Sequence, residues 1–160
     1  LFAGGKLALQ SIWDCSVTEA IADVFAFHLD TRNVPLITPP QQEVLEIVGA
    51  FPLVVGAIVD MRIRQAPIPT AQPWRIRVTA IEPPTLIRDE VVDNEMFSRF
   101  VHTHRFEELG PGLTRLTDHI DWDMPSRMVA GMAKGIIEKT FAGRQDRTRD
   151  LLGAAAAPDA

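Results

Sequence analysis

The sequence predicts an α+β fold: seven antiparallel strands, two short helices after the first of them, and one long helix at the C-terminal end. Three observations carry this. Apolar and polar residues alternate with period two over residues 6–17 and in six further segments between residues 42 and 123. Those six segments are joined by short turn signals, which describes a meander rather than a series of crossovers. After Pro125 the period changes to that of a helix. At 160 residues the chain fits one domain with a real core.

Residues 6–17 (KLALQSIWDCSV) set Leu7, Leu9, Ser11, Trp13 and Cys15 against Ala8, Gln10, Ile12 and Asp14, the pattern of a long strand. Thr18 then offers an N-cap with Glu19 in the first turn, and Ile21, Val24, Phe25 and His28 follow at helical spacing to about Asp30. Residues 31–40 (TRNVPLITPP) read as a short helical turn or loop closed by two prolines. Four strands come next. Residues 42–48 end at Gly49 and the Phe51-Pro52 turn, and residues 57–65 point Val59, Met61 and Ile63 inward. Residues 74–82 point Trp74, Ile76, Val78 and Ala80 inward, and residues 85–92 complete the set.

The sixth and seventh strands, FSRFVHTHRFEEL and LTRLTDHIDWDM, are joined by Gly110-Pro111-Gly112. Phe100 and Phe106 on one strand, and Leu116, Ile120 and Trp122 on the other, must leave water. Alternation then points His102, His104 and Asp118 into the interior, where polar groups are costly unless paired. With a three-residue loop His104 lies opposite Asp118, a register that a bulge or another loop length would break. Asp89, between Ile87 and Val91 in phase, offers a second carboxylate from the neighbouring strand. His119 belongs to the outer face and His28 to a helix end, outside this set.

Residues 127–152 carry Val129, Met132, Ala133, Ile136, Ile137, Thr140 and Phe141 as an amphipathic stripe, with Ser126 as N-cap. Gly131 and Gly135 inside this helix cost about 1 kcal/mol each relative to alanine. Close packing on the sheet or room for a ligand would explain them.

Composition excludes several functions. Sixteen basic against twenty-one acidic residues leave a charge of -5, with no clustered basic surface for nucleic acid. The one basic cluster, Arg144, Arg147 and Arg149, sits among Asp146 and Asp150 and reads as a solvated helix face. Cys15 is the only cysteine, which excludes an internal disulfide and fits a reducing, cytoplasmic compartment; its place in a strand reads as a buried inert thiol. The most apolar stretch, residues 44–59, contains Glu46 and Pro52 and is shorter than the roughly 20 residues of a spanning helix. Residues 1–5 carry no signal-peptide pattern and are expected to be disordered or foreign to the domain, and residues 153–160 (GAAAAPDA) to be a disordered tail. The folded domain is expected over residues 6–152.

Several stretches resemble a known family: VFAFHLDTRNVPLITPP (24–40), the separated Gly56 and Arg62-Ile63, and Trp74-Arg75-Ile76. The run from Phe100 through His102, His104, Phe106 and Glu107 does so too, as do Thr117-Asp118 and Trp122-Asp123-Met124-Pro125. Together with the element order they resemble the START-like, SRPBCC superfamily, which includes the pollen allergen-like (Bet v 1-like) and polyketide cyclase-like families, and within it a bacterial ligand-binding branch. That branch often carries a glycine-proline-aromatic run before the histidine strand, where this chain reads Asn94-Glu95-Met96-Phe97. The resemblance implies a helix-grip fold, a curved sheet around the C-terminal helix with a mostly apolar cavity between them. A ligand would enter past residues 31–40 and 67–73.

The resemblance and the strand faces together nominate a site. His104 and Asp118 are the candidate catalytic pair, and Trp74, Asp89, Phe100, His102, Met132 and Ile136 are the candidate ligand-binding residues. The partner expected is a small hydrophobic or aromatic molecule, with no cofactor, nucleic acid or membrane span, and the oligomeric state is left open. Three readings of the polar set stay open. It is a hydrogen-bonded network that fixes register, or ligand recognition and acid–base work of a cyclase or dehydratase. The third is a metal site built on His-x-His plus carboxylates.

Overall fold

A computed structural model describes residues 9–153. The strands are β1 (Leu9–Val17), β2 (Gln42–Val48), β3 (Ile58–Gln65), β4 (Gln72–Glu82), β5 (Leu86–Val92), β6 (Arg99–Gly110) and β7 (Leu113–Asp123). They form one sheet in the order β1-β7-β6-β5-β4-β3-β2, antiparallel at every step. The helices are α1 (Ile21–Leu29), α2 (Val34–Ile37), with a 3-10 turn at Thr31–Asn33 between them, and α3 (Arg127–Leu152). The helical segments after β1 carry the chain from one sheet edge to the other. This is the helix-grip arrangement that the resemblance implies. Residues 6–8, expected to begin the first strand, and the flanks 1–5 and 154–160 lie outside the described residues. Gly153, expected to open the tail, accepts the backbone N–H of Thr18 at 2.9 Å.

The same tie moves the first helix. Thr18 does not cap α1, whose N-cap is Ala20 without a side-chain bond. Thr18 is held to the end of α3, and the Glu19 carbonyl accepts the Thr114 hydroxyl at 2.8 Å. The chain therefore bends through Thr18 and Glu19 before the helix begins. Ser126 caps α3 as expected, accepting Val129 N–H.

The β6–β7 hairpin keeps its register by a different route. Gly110 pairs with Leu113, so the turn is Pro111-Gly112, with Gly112 at φ 65°, a conformation glycine takes without steric cost. A bulge between Glu108 and Gly110 adds back one residue on β6, and His104 still faces Asp118. The bulge and the shorter turn offset each other. Further register shifts at Val44/Glu46 and Val78/Ala80 accompany the curl of the sheet.

The core divides into three clusters. Phe25 and Val24 of α1 cover Val17, Phe106 and Leu116 at one end. Ile137 and Phe141 of α3 pack on Phe100, Ile120 and Trp122, helped by a stacked Trp13–Phe141 pair 5.0 Å apart. Leu53, Val59, Met61, Ile76 and Val78 form the third. The main contacts of α3 are with β1 and α2. At the α2 side, a Cβ on Gly143 would lie 2.7 Å from Pro39 Cβ, so this glycine permits the close approach. Gly131 and Gly135 do not serve that purpose: both are exposed, and an added Cβ would meet nothing within 4 Å.

Candidate ligand cavity and its polar end

Between the three clusters lies a cavity of about 460 Å³. Period-two alternation on the curled sheet points Trp74, Asp89, Phe100, His102 and His104 into it, and Met132 and Ile136 reach it from α3. Thr31, Val34, Pro67 and Ile68 border it, which puts both expected loops at its rim. Met132, 73% exposed, belongs to the rim, whereas Phe100, 7% exposed, belongs to the wall. Trp74 meets Phe97 and Phe100 edge-on at 5.7 and 5.1 Å, a rigid aromatic corner.

Asp118 is buried but does not line the cavity; it stands behind the histidines. Its Oδ1 accepts the His102 Nε2–H at 2.7 Å, and its Oδ2 accepts an N–H of Gln145. The strand register sets His104 opposite Asp118, yet the directed bond goes to His102. His104 Nδ1 lies 3.0 Å from the same Oδ1 but outside hydrogen-bonding geometry. The His102 and His104 rings are 3.8 Å apart at 42°.

Burial works against the Asp118 charge, but the His102 and His104 contacts outweigh it and hold the carboxyl well below the usual carboxylate range. Burial pushes both imidazoles down, so His102 and His104 are neutral beside an ionised Asp118. With Nε2–H donated to Asp118, His102 keeps its lone pair on Nδ1. Asp89, paired in register with His102, is pushed up to about 6 by burial, which the proximity of His104 and Arg144 opposes. Asp89, His102 and His104 each offer one donor atom within 4.8 Å of the others, a set able to hold a divalent cation.

Two assignments from the sequence are corrected. His28 is no bystander at a helix end: it lines the cavity, with its ring 5.5 Å from His104 and its Nδ1–H donated to Val24 O at 2.8 Å. Burial, with the proximity of His104, lowers its pKa to about 3. Arg144 is not on a solvated face. It lines the cavity with its guanidinium 5.4 Å from the Phe141 ring centre, while Arg149, 46% exposed, does face outward and pairs with Asp146. Gln145 was not singled out at all. A signal existed: the stripe through Ile137, Thr140 and Phe141 continues at helical spacing to Arg144, Gln145 and Thr148.

No family model and no curated protein matches the chain. Solved structures do. A major latex-like protein from Panax ginseng superposes with a TM-score of 0.68 at 18% identity, covering 91% of this chain and 98% of that one. The fold is the helix-grip. Norcoclaurine synthase from Thalictrum flavum, in complex with dopamine and hydroxybenzaldehyde, shares this helix-grip with a TM-score of 0.67 at 12% identity over 90% and 87% of the two chains. The di-domain aromatase/cyclase StfQ of the steffimycin biosynthetic pathway matches with 0.72 at 12% identity, over 92% of this chain and 52% of that one. At such identities the helix-grip is shared, and activity has to be argued from the site.

Proposed function

We propose that this protein binds a small hydrophobic or aromatic molecule in the cavity between the sheet and α3. The observation that carries the reading is the cavity itself: about 460 Å³ walled by side chains such as Trp74, Phe100 and Ile136, where the three core clusters stop short of one another. Protein interiors otherwise close to the density of organic crystals, and this size suits an organic ligand. Norcoclaurine synthase holding two small aromatic molecules supports the same use of the fold. The single reduced cysteine fits a cytoplasmic setting.

A second reading, a cyclase or dehydratase, is favoured by the groups at the polar end. His104 is a neutral base facing the cavity, Asp118 fixes His102 from behind, and Asp89 titrates near 6. In a dehydration His104 would take a proton from the carbon beside a carbonyl. Asp89 in its acid form would protonate the departing hydroxyl, which leaves as water.

Native mass spectrometry tests the binding reading. A co-purifying adduct of a few hundred daltons, lost on denaturation, is the expected result, and a protein that carries none and takes up no apolar probe would overturn it. A chelator-removable adduct of tens of daltons would instead place a metal at Asp89, His102 and His104. His104→Ala separates the two functions: retained binding with lost turnover identifies the enzyme.

A further inference from the structure

The polar end of the cavity holds a charge that the fold leaves without a contact partner. Some arginines on the outer surface pair with acids, Arg75 with Asp60 at 2.7 Å, Arg99 with Asp121 at 2.6 Å and Arg115 with Glu107 at 3.0 Å, while others there, such as Arg62 and Arg105, are exposed to water. Water would have served those groups as well. Arg144 faces the cavity instead, and among the described residues its guanidinium makes neither an ion pair nor a hydrogen bond. Its contact is the Phe141 ring, which favours a cation but satisfies none of the five guanidinium N–H donors.

The carboxylates near it are committed or unsuited. Asp118 spends both oxygens on His102 and Gln145. Asp89 lies close enough to be felt by Arg144 but makes no ion pair with it within 4.0 Å. The Phe141 ring that the guanidinium lies over is itself 5.1 Å from the His102 ring, which locates Arg144 at the same end as the polar cluster. An arginine stays protonated under any physiological condition, so this charge needs a partner whenever a ligand displaces the water around it.

We propose that the cavity's ligand is an anion, an apolar or aromatic body bearing a planar oxyanion such as a carboxylate, which Arg144 receives in a bidentate pair. The inference rests on the cavity being a binding site and adds the charge of what it binds. A guanidinium presents two parallel N–H groups that match the two oxygens of a carboxylate. The apolar body would then extend toward Trp74 and Phe100.

Competition against a neutral fluorescent probe, 1-aminoanthracene, tests this at neutral pH with 2-naphthoate and its uncharged isostere 2-naphthamide. The acid is expected to compete at least about 10-fold more strongly than the amide, the ratio that separates a charge-assisted from a neutral hydrogen bond. Arg144→Met should remove that advantage, so that acid and amide compete within about twofold of each other, and Arg144→Lys should keep part of it. Equal competition by acid and amide in the unaltered protein overturns the anion and leaves the cavity reading standing. So does an acid preference that survives Arg144→Met. Failure of the protein to bind 1-aminoanthracene or either naphthalene would overturn both. Should Arg144→Met not fold by circular dichroism, the acid-to-amide ratio of the unaltered protein still decides.

Discussion

Asp118→Asn isolates the charge at the centre of the polar cluster while keeping its shape. The buried carboxylate accepts from His102 at 2.7 Å and from Gln145, and lies 3.0 Å from His104. The new amide can still accept from His102. Its NH2 would face the Gln145 NH2, but the Gln145 Oε1 is buried without a partner, so a flip of that amide restores the bond. The hydrogen-bond count survives, and what is lost is charge. Each bond falls from the charged class to the neutral one, about 1 kcal/mol apiece, or roughly 2 kcal/mol for the two. Burial of a carboxylate works the other way, but the depressed pKa of Asp118 means that attraction exceeds desolvation in the folded state. Arg144 also loses a nearby negative charge, so a cost of about 2–3 kcal/mol is expected. For a chain of this size that lowers Tm by roughly 4–12 °C. A carboxyl with a depressed folded pKa contributes stability present above its unfolded value of 3.8 and lost as pH falls through the folded one. Urea unfolding should therefore show the full gap at pH 7 and at pH 5, closing only in stronger acid. A gap below about 0.5 kcal/mol at pH 7, or one that is unchanged in strong acid, would refute the reasoning.

Three further predictions follow from the surroundings of single residues. Asp89 has a raised folded pKa of about 6, so its contribution is present below the unfolded 3.8 and lost as pH rises through 6. Asp89→Asn should accordingly stabilise the unliganded, chelator-treated protein at pH 7.5, by up to about 3 kcal/mol in urea unfolding, with the gain vanishing near pH 4. Gly143→Ala should destabilise by about 1–3 kcal/mol, because its Cβ would sit 2.7 Å from Pro39 Cβ. Gly131→Ala and Gly135→Ala, exposed and unopposed in the same helix, should each stabilise by up to about 1 kcal/mol in the same thermal assay.

The strands were legible because a period of two leaves no choice of face. Once Phe100 and Phe106 are inside, His102 and His104 are inside, and the antiparallel register brings Asp118 across from β7 and Asp89 across from β5. What alternation cannot supply is the side-chain torsion, and so it named His104 where the hydrogen bond to Asp118 is donated by His102. The helices hid more. A helix face is set by what it packs on, and polar residues at the end of an apolar stripe read as solvent-facing until the sheet is known to curl over them. Arg144 and Gln145 fall in phase with Ile137 and Phe141, and His28 falls one turn after Val24, yet their polarity argued against burial.

That failure points to where the chemistry is. A sequence rule that puts polar groups outside breaks only where something else holds the polar group. At Gln145 that something is Asp118, and at His28 it is the Val24 carbonyl. At Arg144 the described residues supply the Phe141 ring and no acceptor, although each outward arginine paired with an acid on the sheet has one within 4.0 Å. Among the described residues no acid of α3 or β5 pairs with this guanidinium. Its remaining uncovered is intelligible if the acceptor arrives with the ligand, and the site is then complete only when occupied.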